Sequence, residues 1–209
     1  AEWVLLPPPE VPKKSLAVFS YSLAEIPSLP EWVFQCDALM IVEPSTMDNG
    51  RRLMLLREKL IADGRFKIWA PCTHAGNCPL LIHSAKDWCH DRVHFSRPQW
   101  FHNIELRLPM KNRTLTFSYM LFSKKEAPDL KNLARTVGDM LHEKGKSRQL
   151  ICNGPDRRFL TWFHRDHGIP EDIPRGELVD WPEYFSLVAN EVRVLRNLDS
   201  PGSAPTPEV

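Results

Sequence analysis

Residues 38–70 read ALMIVEPSTMDNGRRLMLLREKLIADGRFKIWA, and the order of patterns in this stretch decides the fold class. Residues 38–42 are a short apolar run suited to a buried strand. Thr46 or Asp48 can cap the helix that follows, in which Leu53, Leu56, Leu60 and Ile61 share one face until Gly64 stops it. Residues 66–70 form the next apolar run. Upstream, residues 16–19 make a further short buried strand that ends at Ser20-Tyr21-Ser22, and Pro27 and Pro30 restrict any helix between the two strands to a short or broken one. A strand, helix, strand order predicts parallel pairing in an α/β layer with right-handed crossovers.

Past residue 70 the character of the chain changes. Cys72, Cys78 and Cys89 fall in one loop with Pro71, Gly76 and Pro79, a composition that suits neither regular helix nor strand. The fourth cysteine of interest, Cys152, lies far downstream beside Asn153-Gly154-Pro155-Asp156, a turn between the apolar runs 150–152 and 159–163. Thiolates suit soft metals, so tetrahedral zinc and an iron-sulfur cluster both fit the ligand type. The gaps of five, ten and sixty-two residues between successive cysteines are wide and irregular for zinc knuckles, and they suit a cluster whose ligands come from separate segments. A Cys3His zinc site using His90 is the rival arrangement. It requires adjacent Cys89 and His90 side chains to turn toward one ion. His74 and His90 are expected beside the centre, tuning it from outside the ligand set. Cys36, ahead of an apolar run, reads as a small buried hydrophobe. No secretory signal is evident, and disulfides are not expected.

The segments Pro71-Cys72-Thr73-His74, Cys78-Pro79-Leu80 and Asp87-Trp88-Cys89-His90 resemble the methyltransferase-like proteins associated with the small ribosomal subunit in mitochondria and bacteria. The similarity extends to Ser20-Tyr21-Ser22-Leu23-Ala24-Glu25, Val42-Glu43-Pro44-Ser45, Phe117-Ser118-Tyr119 and the late Cys152, in the family's order. The resemblance implies that Cys72, Cys78, Cys89 and Cys152 ligate a [4Fe-4S] cluster, with Cys36 left out. It also implies a partial Rossmann-like sheet, the later strands of a class I S-adenosylmethionine-dependent methyltransferase. Ligands of such sheets bind beyond the carboxyl ends of the strands, which places Ser20, Tyr21, Ser22 and Glu43 beside a methyl donor. A Gly-rich turn after a first strand and a ribose-gripping acidic residue are nowhere in the sequence. The chain starts at Ala1 on a Pro-rich run and is expected to be the later part of a longer protein. On its own it is expected to bind S-adenosylmethionine weakly or not at all.

The expected organisation is a methyltransferase-like layer over residues 1–70, a cysteine-rich metal-binding insertion over 71–102, closing antiparallel strands and a helix over 103–145, a hairpin carrying Cys152 plus a helix over 146–198, and a frayed tail over 199–209. Residues 104–108 and 115–122 read as neighbouring strands around a turn at Met110-Lys111-Asn112-Arg113. Leu130, Leu133, Ala134, Val137 and Leu141 predict an amphipathic helix over 129–143. Trp181, Phe185, Val188, Val192 and Leu195 read as a last helical stripe.

The chain of 209 residues is 43% hydrophobic with a net charge of +1, and no apolar run reaches the length of a membrane span. Its charge is unevenly spread: residues 86–165 carry +8, residues 1–85 carry −1 and residues 166–209 carry −6. A basic middle suggests a phosphate-binding surface, with Lys86, Arg92, Arg97, Lys111, Arg113, Lys146, Arg148, Arg157 and Arg158 as candidate RNA contacts. Trp88, Phe95, Trp100 and Phe101 lie among them and could stack on unpaired bases or wall off the metal centre. Two functions follow. One is a small-subunit assembly or translation factor that binds rRNA and ribosomal proteins, monomeric when free. The other is an RNA methyltransferase whose donor half lies outside this chain. Redox sensing through loss of an exposed cluster is a third reading. The bacterial cytoplasm is the expected location, with the mitochondrial matrix as the alternative.

Overall fold

The computed structural model describes residues 10–109 and 114–196. The turn expected at residues 110–113, with Lys111 and Arg113, and the frayed tail expected at 199–209 lie outside the described residues. β1 (Leu16–Ser20) and β2 (Ala38–Pro44) pair in parallel. Two short 3-10 turns, Leu23–Glu25 and Glu31–Gln35, span the crossover between them. α1 (Met47–Asp63) starts where Thr46 Oγ1 accepts the Asn49 N–H and ends at Gly64, whose φ of 80° is a conformation that favours glycine. β3 (Lys67–Ala70) follows.

β3 does not pair with β2. β5 (Thr114–Ser123) lies between them, antiparallel to both, giving the order β1-β2-β5-β3. The cysteine loop, which contains α2 (Pro79–His83), leaves β3 and returns as β4 (Asp91–His94). β3 and β4 pair with the two ends of the same edge of β5. Both stalks of the loop are thereby anchored on one strand. Leu39, Ile41, Leu53, Leu60, Phe66, Ile68, Met120 and Phe122 fill the core of this layer, joined by Cys36.

The second half of the chain builds a separate six-stranded sheet. β6 (Leu133–Glu143), β7 (Lys146–Asn153) and β8 (Asp156–Phe163) form an antiparallel meander. After α4 (His164–His167) come β9 (Leu178–Asp180), β10 (Phe185–Val188) and β11 (Glu191–Val194). The order is β10-β11-β8-β7-β6-β9, with β11 parallel to β8. β9 pairs with β6 and β10 with β11, so residues 178–188 reach from one edge of the sheet to the other and curl it toward a barrel. Ala134, Ile151, Leu160 and Val192 are its core.

Three sequence expectations are corrected here. Residues 129–143 contain no helix: β6 occupies 133–143, with Ala134 in the barrel core and Val137 packed toward the cysteines. The strand is covered on both faces, so residues 134–137 are all buried and no alternation marks it. The stripe over 181–195 is strand rather than helix, with Ala189 and Asn190 turning β10 into β11. Residues 104–108 hold the end of α3 (Gln99–Glu105) and the turn after it, and no strand. The C-terminal helix expected beside the hairpin is therefore replaced by strands.

Candidate metal centre

α1 organises the cysteine loop with one face. Met54 Sδ accepts the Cys89 N–H at 3.3 Å, Glu58 Oε1 accepts the Cys78 N–H at 2.9 Å, and Arg57 Nε donates to Cys72 Sγ at 3.1 Å. The Arg57 side chain has no exposed surface. Its remaining nitrogens donate to Glu58 Oε1 at 2.6 Å, Gly76 O at 2.9 Å and His74 O at 2.7 Å. Burial opposes its charge, but neighbouring Cys72, Glu58 and Cys78 hold its pKa above the ordinary arginine value. Three loop cysteines are thus each tied to a different residue within a five-residue stretch of helix.

Other contacts clamp the loop from two sides. Arg51 donates to Ser84 O and Asp87 O, and Trp88 Nε1 donates to Ser45 O. From the barrel, Arg157 pairs with Asp87, and Arg175 donates to His90 O and Trp88 O. Ser118 Oγ of β5 donates to Cys89 O at 2.8 Å.

Cys72, Cys78, Cys89 and Cys152 line one small cavity of about 20 Å³, together with Met54, Arg57, Thr73, His74, Met120 and Arg135 among others. Cys152 comes from β7, so the cavity joins the two sheets. Cys36 is elsewhere, in the core of the first layer. The pairing of Arg135 with Asp91 places a second buried guanidinium here. Arg135 is held above its ordinary pKa because Cys89 and Asp91 outweigh the opposing effect of burial. Burial pushes Cys89 up to about 12 and also raises Cys78 and Cys152. As free thiols these groups stay protonated near neutral pH, and a soft metal would have to displace their protons.

The histidines separate. His74 lines the cavity, with Nε2 3.5 Å from Cys152 Sγ. His90 stacks on Trp88 at 5.1 Å between ring centroids and is not among the residues lining the cavity. Burial, aided by Arg57 and Arg175 respectively, lowers the pKa of each to about 4. Cys72, Thr73 and His74 also border a larger outer groove of about 440 Å³.

The other predicted site residues are placed as follows. Ser20, Tyr21 and Ser22 end β1 beside Glu43 at the end of β2. Glu43 is 2% exposed, and its Oε1 accepts the Leu23 N–H at 2.9 Å, bracing the turn after β1. Tyr21 is half exposed with φ of 55°. Among the basic residues, Arg92 pairs with Asp139, Arg97 with Glu105, Arg158 with Asp156, and Lys146 and Arg148 with Glu143 and Glu191. Much of the basic middle is thus engaged in internal ion pairs. Lys86 is exposed. Sequence reasoning missed Arg57 and Arg135. The signal for Arg57 was an arginine on the apolar face of α1, between Leu53 and Leu60; Arg135 lay hidden in the strand read as helix.

These features define a mixed α/β protein in which two sheets meet at a cysteine-lined cavity. Residues 13–170 match the family described as mitochondrial small ribosomal subunit Rsm22, and the chain belongs to that family. A comparison with curated proteins gave no match. No helix among the described residues is long and apolar enough to cross a membrane.

Proposed function

We propose that this chain is part of a methyltransferase-like assembly or translation factor of the mitochondrial small ribosomal subunit, which binds rRNA and holds a [4Fe-4S] cluster on Cys72, Cys78, Cys89 and Cys152. The carrying observation is that these four thiols, separated by up to eighty residues of chain, line one cavity. Two further features support the fit. Thr73 Oγ1, His74 Nδ1 and Arg135 Nε are buried without hydrogen-bond partners, and all three residues line the cavity; the sulfur atoms of a cluster accept hydrogen bonds. Two buried guanidinia supply positive charge to a centre that is net negative.

The space holds roughly one water-sized body, so seating a cluster requires its walls to move outward. When bound, the cluster would fasten the loop to β7, and its binding energy would add to folding. Arg57, Met54 and Glu58 position the loop ligands, and His74 sits against Cys152.

The methyltransferase-like reading draws support from the first sheet. Its parallel β1 and β2, with antiparallel β5 placed before β3, suit the closing half of such a sheet, and β1 keeps a free outer edge among the described residues. Ser20, Tyr21, Ser22 and Glu43 would border a methyl donor, although the Glu43 carboxylate already serves the β1 turn. The reading is tested by co-sedimentation of tagged protein with mitochondrial small subunits. Wild type is expected in the small-subunit fraction, with crosslinks to rRNA. A protein that stays in the free fraction and crosslinks to no rRNA overturns it.

A further inference from the structure

The second sheet has a recognisable path. A three-stranded meander, β6-β7-β8, is followed by α4 and then by a segment that pairs first with β6 and afterwards with β11; β11 itself lies parallel to β8. Counting residues 178–188 as one strand, the order is first, second, third, fifth, fourth, and back to the first. This is the Greek-key path of the oligonucleotide- and oligosaccharide-binding barrel, whose ligands lie across the second and third strands between the loop joining strands one and two and the loop joining strands four and five.

In this chain the outward side of β7, β8 and β11 carries that surface only at the end near Lys146, Phe163 and Arg193; at the other end Leu150 and Cys152 of β7 face the first layer and Arg157 of β8 pairs with Asp87 of the cysteine loop. Inward residues are identified by the barrel core, Ile151, Leu160 and Val192. Their neighbours face outward: Arg148 and Arg193 flank Thr161, which has no exposed surface, and Lys146 stands beside Phe163. The side chains interleave rings and cations. The guanidinium of Arg148 lies 4.5 Å from the Phe159 ring centre, while Arg193 and Arg165 lie 5.5 Å and 5.6 Å from that of Phe163. Glu191 sits among the cations, 2.9 Å from Lys146 and 3.0 Å from Arg193.

The two bounding loops sit where the fold requires. Gly145 O accepts the His164 N–H next to Phe163, and Asn190 O accepts the Phe159 N–H. Beyond Asn190, a groove of about 370 Å³ lined by Arg157 and Arg158 prolongs the surface. Aromatic rings with arginines over them suit unpaired bases, because a duplex hides its base faces.

We propose that this barrel face binds single-stranded RNA, with Phe159 and Phe163 and their arginines stacking on unpaired bases and Lys146 and Arg148 meeting phosphates. The proposal deepens the small-subunit reading and rests on it. The experiment is fluorescence anisotropy of the full chain with a labelled unpaired RNA oligonucleotide, and with the same RNA annealed to its complement, at fixed ionic strength.

Unpaired RNA is expected to bind at least tenfold more tightly than duplex. The double variant Phe159→Ala/Phe163→Ala should lose about tenfold or more, on the scale set by one base stack. The surface reversal Arg193→Glu should weaken binding without touching the barrel core, and Glu191→Gln, which frees its cations, should tighten it. Unchanged affinity in Arg193→Glu and Glu191→Gln, or a preference for duplex, overturns the proposal. So does failure to bind the oligonucleotide by a protein that still co-sediments with small subunits, and this leaves the broader reading intact. Loss of both kinds of binding sinks the two together.

Discussion

Arg57→Met is the sharpest test of how the loop is held. The native guanidinium is fully enclosed and donates to Cys72 Sγ, His74 O, Gly76 O and Glu58. Methionine fills a similar volume without donors. Gly76 is exposed and Glu58 is partly so, and both can turn to water. His74 O and Cys72 Sγ have less access to a replacement. At roughly 1–3 kcal/mol for each orphaned acceptor, two such groups cost about 2–6 kcal/mol. Relief of the arginine's own desolvation offsets part of this, leaving a net loss of about 3 kcal/mol. For a chain of this size that corresponds to a melting point lower by about 6–12 °C. Urea unfolding of wild type, Arg57→Met and Arg57→Lys in metal-free buffer measures it, with lysine expected to lie between because it keeps the charge but not the fork. A loss below about 1 kcal/mol for Arg57→Met would show that α1 does not organise the loop.

Asp91→Ala removes the partner of buried Arg135 and is expected to cost about 3–5 kcal/mol, read as a lower urea midpoint with unchanged slope. Gly176→Ala combines a φ of 101° with a Cβ that would sit 2.6 Å from Asp91 Cγ; a clear fall in melting temperature is expected, larger than for Ala substitution at open Gly145. Gly50→Ala would bring a Cβ to 2.5 Å from Trp88 Cδ1, so the loop end at Trp88 should shift and tryptophan fluorescence should change, despite the better helix propensity of alanine. Cys36→Ala should leave metal content unchanged, since that thiol is in the first core and away from the cavity, whereas serine at any of the other four positions should reduce it.

How much was legible depended on how each segment is covered. β1, β2, α1 and β3 are apolar runs around one capped amphipathic helix, and as elements they survive in the sequence, although β1 is not the buried strand expected: Leu16 and Val18 are exposed. β5 was legible as a strand, but its insertion between β2 and β3 was not, because nothing local encodes the choice of neighbour. β6 deceived because one face meets the barrel core and the other the cysteine cavity. An irregularity between Thr136 and Met140 then shifts its register, and the apolar positions fall by chance at helical spacing. β10 and β11 misled in the same way, their turn at Ala189 and Asn190 passing unnoticed within an apparent stripe. The basic middle was visible as composition, yet its ion-pair partners are distant in sequence. Lys146 and Arg148 meet Glu191, more than forty residues away. The barrel face was half legible: Lys146 and Arg148 were found, whereas Phe159, Phe163 and Arg193 become a surface only once β8 and β11 lie side by side.

The central claim is that four thiols, three from the loop between β3 and β4 and one from β7, hold one inorganic core. Anaerobic purification followed by iron, sulfide and zinc determination tests it most directly. The account predicts about four irons and four sulfides per chain, with visible absorbance that disappears in Cys152→Ser. One zinc per chain, with no iron and no visible absorbance, would contradict it.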